Sequence, residues 1–164
     1  MTSIAQFEEK TFEKYFGHEV ARYANYTYSP GQFGEATLGF DEAFDIPFHR
    51  LLWKWHLLYG GHVLRKKGIS LSDYNNLLER ELRNLPKFKL NLFVQYKRPE
   101  YVDGAGADEW PLWEKPYYRY CITDHQQMAL VKLSAESSGR AAVVYASPAF
   151  WMSDDLFAMP QQEK

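Results

Sequence analysis

The apolar pattern of residues 90–98 predicts a buried strand at the centre of the fold. The run Leu-Asn-Leu-Phe-Val-Gln-Tyr-Lys-Arg is rich in strand-favouring residues and lies between Pro86 and Pro99, which is short for a helix. Because side chains alternate between the faces of a strand, one face is wholly apolar and the other carries Gln95 and Lys97. We therefore expect an amide and an ammonium group to emerge side by side at the end of this strand.

Residues 6–24 are predicted to form an amphipathic helix, because large apolar side chains recur at three- and four-residue spacing. A helical projection places Glu19 inside the apolar stripe. A carboxylate turned inward is usually paired or ligating. Glu19 is therefore expected either to bridge to an arginine or to ligate a cation.

A second strand is predicted over residues 35–45, after the turn-forming residues 25–34. Apolar and polar positions alternate in it, with Leu38, Phe40 and Phe44 on one face. Asp41 follows small and apolar residues directly. We therefore expect Asp41 within this strand or at its end, and not at a solvated loop tip.

Residues 47–86 have a mostly helical pattern and are predicted to be an insertion into the sheet. One apolar stripe ends at the pair Gly60-Gly61, and a second helix is expected to begin near Ser70, with Asp73 as its capping-box partner. The histidines of this segment share no spacing and have no cysteine nearby, so surface or packing roles are preferred to a metal site. They are His49, His56 and His62.

The remaining chain predicts a long connection, two strands and a helix between them. The connection covers residues 99–116, the strands cover 117–122 and 141–146, and the helix runs from Thr123 or Asp124 to about Ser137. A helix of this length between two strands favours parallel pairing with a right-handed crossover. The fold class expected is α/β, with a central mixed sheet flanked by helices in a single domain over residues 1–164.

Composition supports a packed domain in a reducing compartment. Hydrophobic residues make up 46% of the chain, which is ample for a core. Cys121 is the only cysteine, which excludes an internal disulfide framework. No basic-then-apolar leader and no apolar run near 18 residues is evident, so the expectation is a cytoplasmic protein without a membrane partner.

Charge is unevenly divided along the chain. Residues 49–98 hold eleven lysines and arginines against three acids, whereas each flanking segment has a net charge of −5. A polyanion such as DNA would be held by the middle segment, if its cations share a face after folding. The candidates for contacts with the DNA backbone are Arg50, Lys54, Arg65, Lys66, Lys67 and Arg98.

Two short motifs resemble those of a nuclease superfamily. The motifs are Gly-Phe-Asp at residues 39–41 and Val-Gln-Tyr-Lys at residues 94–97, supported by residues 125–127 and 145–148. Their order along the chain resembles the PD-(D/E)xK restriction-endonuclease-like superfamily, in its Gln-x-Lys variant found in Mrr-type restriction enzymes. The resemblance implies an αβββαβ core with a helical insertion at about residues 47–86.

The resemblance further implies a metal-dependent site. Asp41 and Gln95 would ligate Mg²⁺, or Mn²⁺ in its place, and Lys97 would stand beside the attacking water. Hard divalent ions prefer oxygen donors, and an ammonium group offsets charge on phosphoryl oxygens. Because an amide replaces the usual second carboxylate, a third ligand is expected from Glu35, which is near Asp41 in the chain, or from Glu19.

The function implied is a magnesium-dependent deoxyribonuclease that hydrolyses DNA phosphodiester bonds, with a bacterial role in restriction or defence. The alternative is a catalytically inactive nuclease-fold module that binds nucleic acid or a protein partner. In that alternative, Asp41 forms an ion pair with Lys97 and no metal binds. A homodimer and a complex with a partner subunit are both compatible with either function.

Overall fold

The computed structural model describes residues 1–47, 66–77 and 85–158. The chain divides into two compact units. The first unit contains Met1–Phe16, Tyr96–Cys121 and Ala146–Lys164, and the second contains Gly17–Gln95 and Ile122–Tyr145. The boundaries between the units fall after Phe16, Gln95, Cys121 and Tyr145.

Helices and strands alternate along most of the described chain. The helices are α1 (Glu9–Ala21), α2 (Gly31–Leu38), α3 (Leu71–Leu77), α4 (Trp110–Trp113), α5 (Asp124–Ser137) and α6 (Ser153–Phe157). The strands are β1 (Thr2–Ile4), β2 (Tyr26–Tyr28), β3 (Glu42–Asp45), β4 (Ile69–Ser70), β5 (Lys89–Leu90), β6 (Leu92–Tyr96), β7 (Glu100–Val102), β8 (Tyr117–Arg119) and β9 (Ala142–Ala146).

The main sheet has four strands in the order β2-β3-β6-β9. The β2–β3 and β3–β6 pairs are antiparallel. The β6–β9 pair is parallel, because Ala142 N–H donates to Asn91 O at one end and Lys97 N–H donates to Ala146 O at the other. The sheet is therefore mixed, and the predicted α/β class with a mixed sheet flanked by helices is confirmed at this level.

The core of the second unit lies between this sheet and helices α2 and α5. Phe40 and Phe93 meet edge to face with ring centroids 5.0 Å apart, and Leu38, Leu130 and Leu133 belong to the same buried cluster. Every residue of β6 is buried because the strand has neighbours on both sides. The central position predicted for this segment is thus observed.

Gly39 allows α2 to end against α5. Its φ of 80° lies in the left-handed region, and its N–H donates to Glu35 O as a helix C-cap. A Cβ at this position would lie 2.7 Å from the Cβ of Ala129 on α5. A larger residue would therefore strain the backbone and push the two helices apart.

The strand predicted over residues 90–98 is interrupted at Asn91. The Asn91 amide donates from Nδ2 to Ile46 O at 2.8 Å and accepts from Ile46 N at 2.9 Å. The Asn91 backbone also bonds to both neighbouring segments, its N–H donating to Phe44 O and its carbonyl accepting from Ala142 N–H. β5 ends before Asn91 and β6 begins after it. β5 instead pairs with β4 in a separate two-stranded sheet.

The prediction of a strand over residues 35–45 is wrong in its first half. Residues Gly31–Leu38 form α2, and the strand covers only Glu42–Asp45. The spacing of apolar residues in Glu-Ala-Thr-Leu, residues 35–38, is compatible with a helix and with a strand. Burial of Leu38 in the core shared with α5 favours the helix. Asp41 remains where it was expected, at the end of a strand and buried.

The predictions for α1, α5 and β9 are confirmed within a few residues. Thr123 is the N-cap of α5 and has extended backbone angles, as expected. The pairing predicted for residues 117–122 is wrong, because β8 lies in the three-stranded sheet β1-β7-β8 and not beside β9. The connection at residues 99–116 also contains β7 and α4, which have three and four residues and leave no periodic pattern.

In the first unit, the sheet β1-β7-β8 is antiparallel throughout. Phe12 and Phe16 of α1 pack edge-on against Tyr96, with centroid distances of 5.9 and 5.5 Å. Arg119 joins β8 to Glu100 of β7 through an ion pair of 2.8 Å. This unit is therefore held by aromatic contacts and by a charged network.

Much of the predicted insertion lies outside the described residues. Within it, the structure describes β4 and α3, which begins at Leu71 beside the expected start at Ser70. Gly60-Gly61 and the three histidines fall outside the described ranges. None of the helices in the described part of the chain has the length and apolar character needed to cross a membrane.

Candidate functional site

The side chains of Asp41 and Gln95 meet in the second unit. Gln95 Nε2 donates to Asp41 Oδ2 at 2.7 Å, across a sequence separation of 54 residues. Asp41 is 7% exposed and Gln95 is 2% exposed. The resemblance singled out these two residues for one site, and the fold brings them into contact.

The register of two neighbouring strands produces this contact. Glu42 of β3 pairs with Val94 of β6 in an antiparallel ladder. Asp41 lies just before β3, and its N–H donates to Val94 O at 2.9 Å. This bond holds Asp41 against β6 beside Val94, and Gln95 is the next residue of β6, so the two side chains can form their hydrogen bond.

Burial makes this pair chemically significant. An ionised carboxylate away from water needs hydrogen bonds or a counter-charge, and Gln95 supplies one donor. The pair also provides carboxylate and amide oxygens, which are the donor types that Mg²⁺ takes from proteins. The same two side chains can thus serve as a structural pair or as two ligands.

Lys97 directly follows β6 and belongs to the first unit. Its side chain is buried. Its N–H donates to Ala146 O at 2.9 Å, which fixes the backbone at this point. The sequence separates it from Gln95 by a single residue, Tyr96.

The two acids expected as a third ligand lie on helices. Glu35 is half-buried on α2. Glu19 lies on α1 with its side chain 39% exposed, so the inward orientation expected from the helical projection is wrong. It forms a 3.8 Å ion pair with Arg22, and an arginine was one of its two expected partners. Within residues 1–47, 66–77 and 85–158, no three or more His, Cys, Asp or Glu side chains are grouped so as to hold a metal ion.

Glu42 is an acid beside the site that sequence reasoning missed. Its carboxylate lies against Gly17 of α1, where a Cβ would overlap the carboxylate oxygens. Alternation along β3 turns Glu42 to the face opposite Asp41. A glycine within an amphipathic helix was the available signal, because glycine disfavours a helix interior unless another group must approach closely.

The structure describes three of the six basic residues expected to contact DNA. The other three, Arg50, Lys54 and Arg65, lie outside the described residues. Lys66 Nζ donates to Gly139 O at 2.8 Å, and Lys67 is exposed.

The sixth of these residues, Arg98, is held by partners in the first unit. Its guanidinium group donates to Glu8 Oε2 and to Ala5 O. Its backbone N–H donates to Glu9 Oε2 at 2.8 Å. These contacts give Arg98 a structural role in addition to the predicted contact with DNA.

The later motifs of the resemblance meet between α5 and β9. Tyr145 on β9 donates its hydroxyl proton to Gln127 Oε1 on α5 at 2.8 Å. Thr123 Oγ1 donates to Gln126 Oε1 at 2.9 Å within the first turn of α5. His125 is exposed. The glutamines thus connect the helix to its own N-cap and to the neighbouring strand.

Comparison of the chain with protein-family models, curated proteins and solved structures gives no match.

Proposed function

We propose that this chain is a magnesium-dependent deoxyribonuclease that hydrolyses phosphodiester bonds in DNA. The contact between buried Asp41 and Gln95 carries the proposal. Two residues from distant segments, each of a type suited to ligate a hard cation, are in side-chain contact.

The order of elements around the main sheet supports the proposal. Along the chain, α1 is followed by β2, β3, β6, α5 and β9, with an antiparallel three-strand run and then a parallel strand after a helix. With the other elements left out, this order is similar to the αβββαβ core that the resemblance to the PD-(D/E)xK superfamily implies, and the similarity supports the proposal. Asp41 precedes the second strand of the series and Gln95 lies on the third, which is where the resemblance assigns the ligands.

The oxygen atoms of Asp41 and Gln95 are of the kinds that Mg²⁺ binds in proteins. Mg²⁺ commonly takes one or two protein carboxylates and keeps several waters. Asp41 would supply the carboxylate and Gln95 the neutral carbonyl oxygen Oε1, which is not the amide atom bonded to Asp41. A bound Mg²⁺ would supply a polarised water as nucleophile. Glu35, six residues before Asp41, is the preferred source of a further carboxylate.

Lys97 is assigned a role in stabilising charge on the phosphate. The support is its place in the Gln-x-Lys motif, two residues beyond Gln95. An ammonium group offsets the negative charge that grows on phosphoryl oxygens during attack. The cations of residues 49–98 would hold the DNA backbone, so binding should weaken steeply as salt rises.

The alternative function is a nuclease-fold module that binds nucleic acid or a protein partner without cleavage. The same hydrogen bond favours this alternative, because Gln95 Nε2 supplies a partner to the buried carboxylate in the absence of metal. The absence of a three-acid group in the described part of the chain favours it as well. The two functions differ in whether DNA is cut.

A nicking assay on supercoiled plasmid tests the proposal. We expect the wild-type chain to nick DNA with Mg²⁺ or Mn²⁺ and to be inactive with EDTA. Asp41→Asn and Lys97→Ala should each reduce nicking by at least about 100-fold, whereas Asp155→Asn, an exposed acid on α6, serves as the matched control. A wild-type chain that binds DNA but never nicks it with either metal would favour the binding module.

A further inference from the structure

Two aromatic rings stack on each other at the surface of the second unit. Tyr26 on the edge strand β2 and Phe88 just before β5 have ring centroids 4.8 Å apart and planes inclined by 25°. Tyr26 is 54% exposed and Phe88 is 37% exposed. A stacked pair that leaves this much ring surface in water presents a flat apolar face to a ligand.

Exposed lysines lie next to Phe88 in the chain and on the segment paired with β5. Lys87 and Lys89 flank Phe88, and both are exposed. The pairing of β4 with β5 also brings another segment close, since a Cβ at Gly68 would lie 3.0 Å from the Cβ of Lys89. Exposed Lys67 directly precedes Gly68, so two neighbouring segments contribute three exposed lysines to this region.

One carboxylate lies in the same region. Asp45 pairs with Tyr26 across β2 and β3 and accepts a hydrogen bond from Asn25 Nδ2 at 2.9 Å. Lysine charges therefore outnumber this acid three to one. We name the set Tyr26, Phe88, Lys67, Lys87 and Lys89 the stacking platform.

We propose that the stacking platform binds single-stranded nucleic acid. Unpaired bases stack on aromatic faces, and lysines attract the phosphates between them. A duplex keeps its bases stacked internally and offers only phosphates. An acidic peptide would use the lysines but would gain little from two exposed rings. The platform therefore fits an unpaired strand best.

This inference rests on the proposed function for its biological role, because the strand that the platform holds would belong to the nuclease substrate. Binding itself does not require cleavage. It is measured with EDTA present, where the proposed nuclease is inactive. A failure of cleavage and a failure of the platform are therefore separate results.

Fluorescence anisotropy with a labelled 15-nucleotide oligo-dT tests the platform. We expect Phe88→Ala and Tyr26→Ala each to weaken binding by about tenfold, whereas Phe88→Trp should retain it. The double change Lys87→Ala and Lys89→Ala should lower the slope of log affinity against log salt by about 1.4. The matched controls are Tyr120→Ala and the double change Lys115→Ala and Lys132→Ala, all at exposed positions outside the platform.

Other polyanions test whether the stacking platform prefers an unpaired strand. Oligo-U of equal length distinguishes RNA from DNA as the source of the strand, and binding of either supports the platform. Equal binding of a blunt 15-base-pair duplex, or equal competition by poly-glutamate, would overturn it in favour of a general polyanion surface. Unchanged oligo-dT affinity in Phe88→Ala, with circular dichroism showing a folded chain, would also overturn it.

Discussion

The Gln95 side chain on β6 meets the side chain of Asp41, which lies just before β3, where Glu42 pairs with Val94. The contact between them is a 2.7 Å hydrogen bond from an amide to a buried carboxylate. Neither side chain could move to the other face without a one-residue shift of the whole strand, which would turn the core outward. The pairing of β3 with β6 therefore also positions the two side chains of the candidate site.

Replacing Gln95 by glutamate should make folding stability depend on pH and on metal. Two carboxylates would then face each other in a buried position, so we expect a loss of about 1–3 kcal/mol in the free energy of unfolding at pH 7. Protonation at pH 5 should recover part of this loss. Millimolar Mg²⁺ should also recover it if the pair can ligate the ion.

Thermal unfolding of Gln95→Glu at both pH values, with and without Mg²⁺, checks this expectation. Gln95→Leu is the control, because it also removes the donor but creates no second carboxylate. Stability of Gln95→Glu that is insensitive to both acid and Mg²⁺ would contradict the arrangement described for this pair.

Replacing Gly17 by alanine should stabilise the chain by less than the about 1 kcal/mol that this change gains in an unconstrained helix interior. The new Cβ would overlap the Glu42 carboxylate. This carboxylate is the end of a flexible side chain and can move away, so we expect the loss of its present position to offset part of the gain. Urea unfolding measures the difference.

The double variant Gly17→Ala with Glu42→Ala provides the decisive comparison. Removing the Glu42 side chain removes the overlap, so alanine at position 17 should then give the full gain of an unconstrained helix. A double-mutant cycle isolates the coupling between the two positions. A coupling energy near zero would show that α1 and β3 do not approach each other at these residues.

Tyr74 should make the chain less stable at strongly alkaline pH. Burial, followed by the charge of Glu136, raises the pKa of Tyr74 to about 12 from its ordinary value of 10.0. Because the folded-state pKa is the higher one, the contribution of neutral Tyr74 is complete below pH 10 and is lost as pH rises towards 12. The loss should be at most about 3 kcal/mol, because a pKa difference of one corresponds to about 1.4 kcal/mol.

Urea unfolding at pH 8, 10 and 11 measures this loss, and tyrosinate absorbance at 295 nm reports the titration. Tyr74→Phe should flatten the stability profile over the same range, since phenylalanine has no proton to lose. Tyr120→Phe, at an exposed position, is the control and should leave the profile unchanged. A steep alkaline loss that persists in Tyr74→Phe would assign it to other groups.

Local signals in the sequence predicted several elements well. The spacing of apolar residues predicts α1, and the cap at Thr123 predicts the start of α5. The apolar run at residues 141–146 predicts β9. These signals succeed because periodicity, caps and turn residues act over a few neighbouring positions.

Other features were decided by contacts between distant segments. Whether residues 35–38 are helix or strand depends on the burial of Leu38 against α5. The Asn91 side chain, between β5 and β6, bonds to the backbone of Ile46, which lies 45 residues away. The three-residue strands β1, β7 and β8 exist because they pair with one another. None of these partners can be read from a local window.

By itself, the sequence determined which residue types are available for a site: an acid at position 41, an amide at 95 and a lysine at 97. Only the tertiary structure decided that the acid and the amide touch and that Tyr26 stacks on Phe88. The reason is physical. Side-chain chemistry belongs to each residue alone, whereas proximity across tens of residues arises from strand register and core packing, which the whole chain settles together.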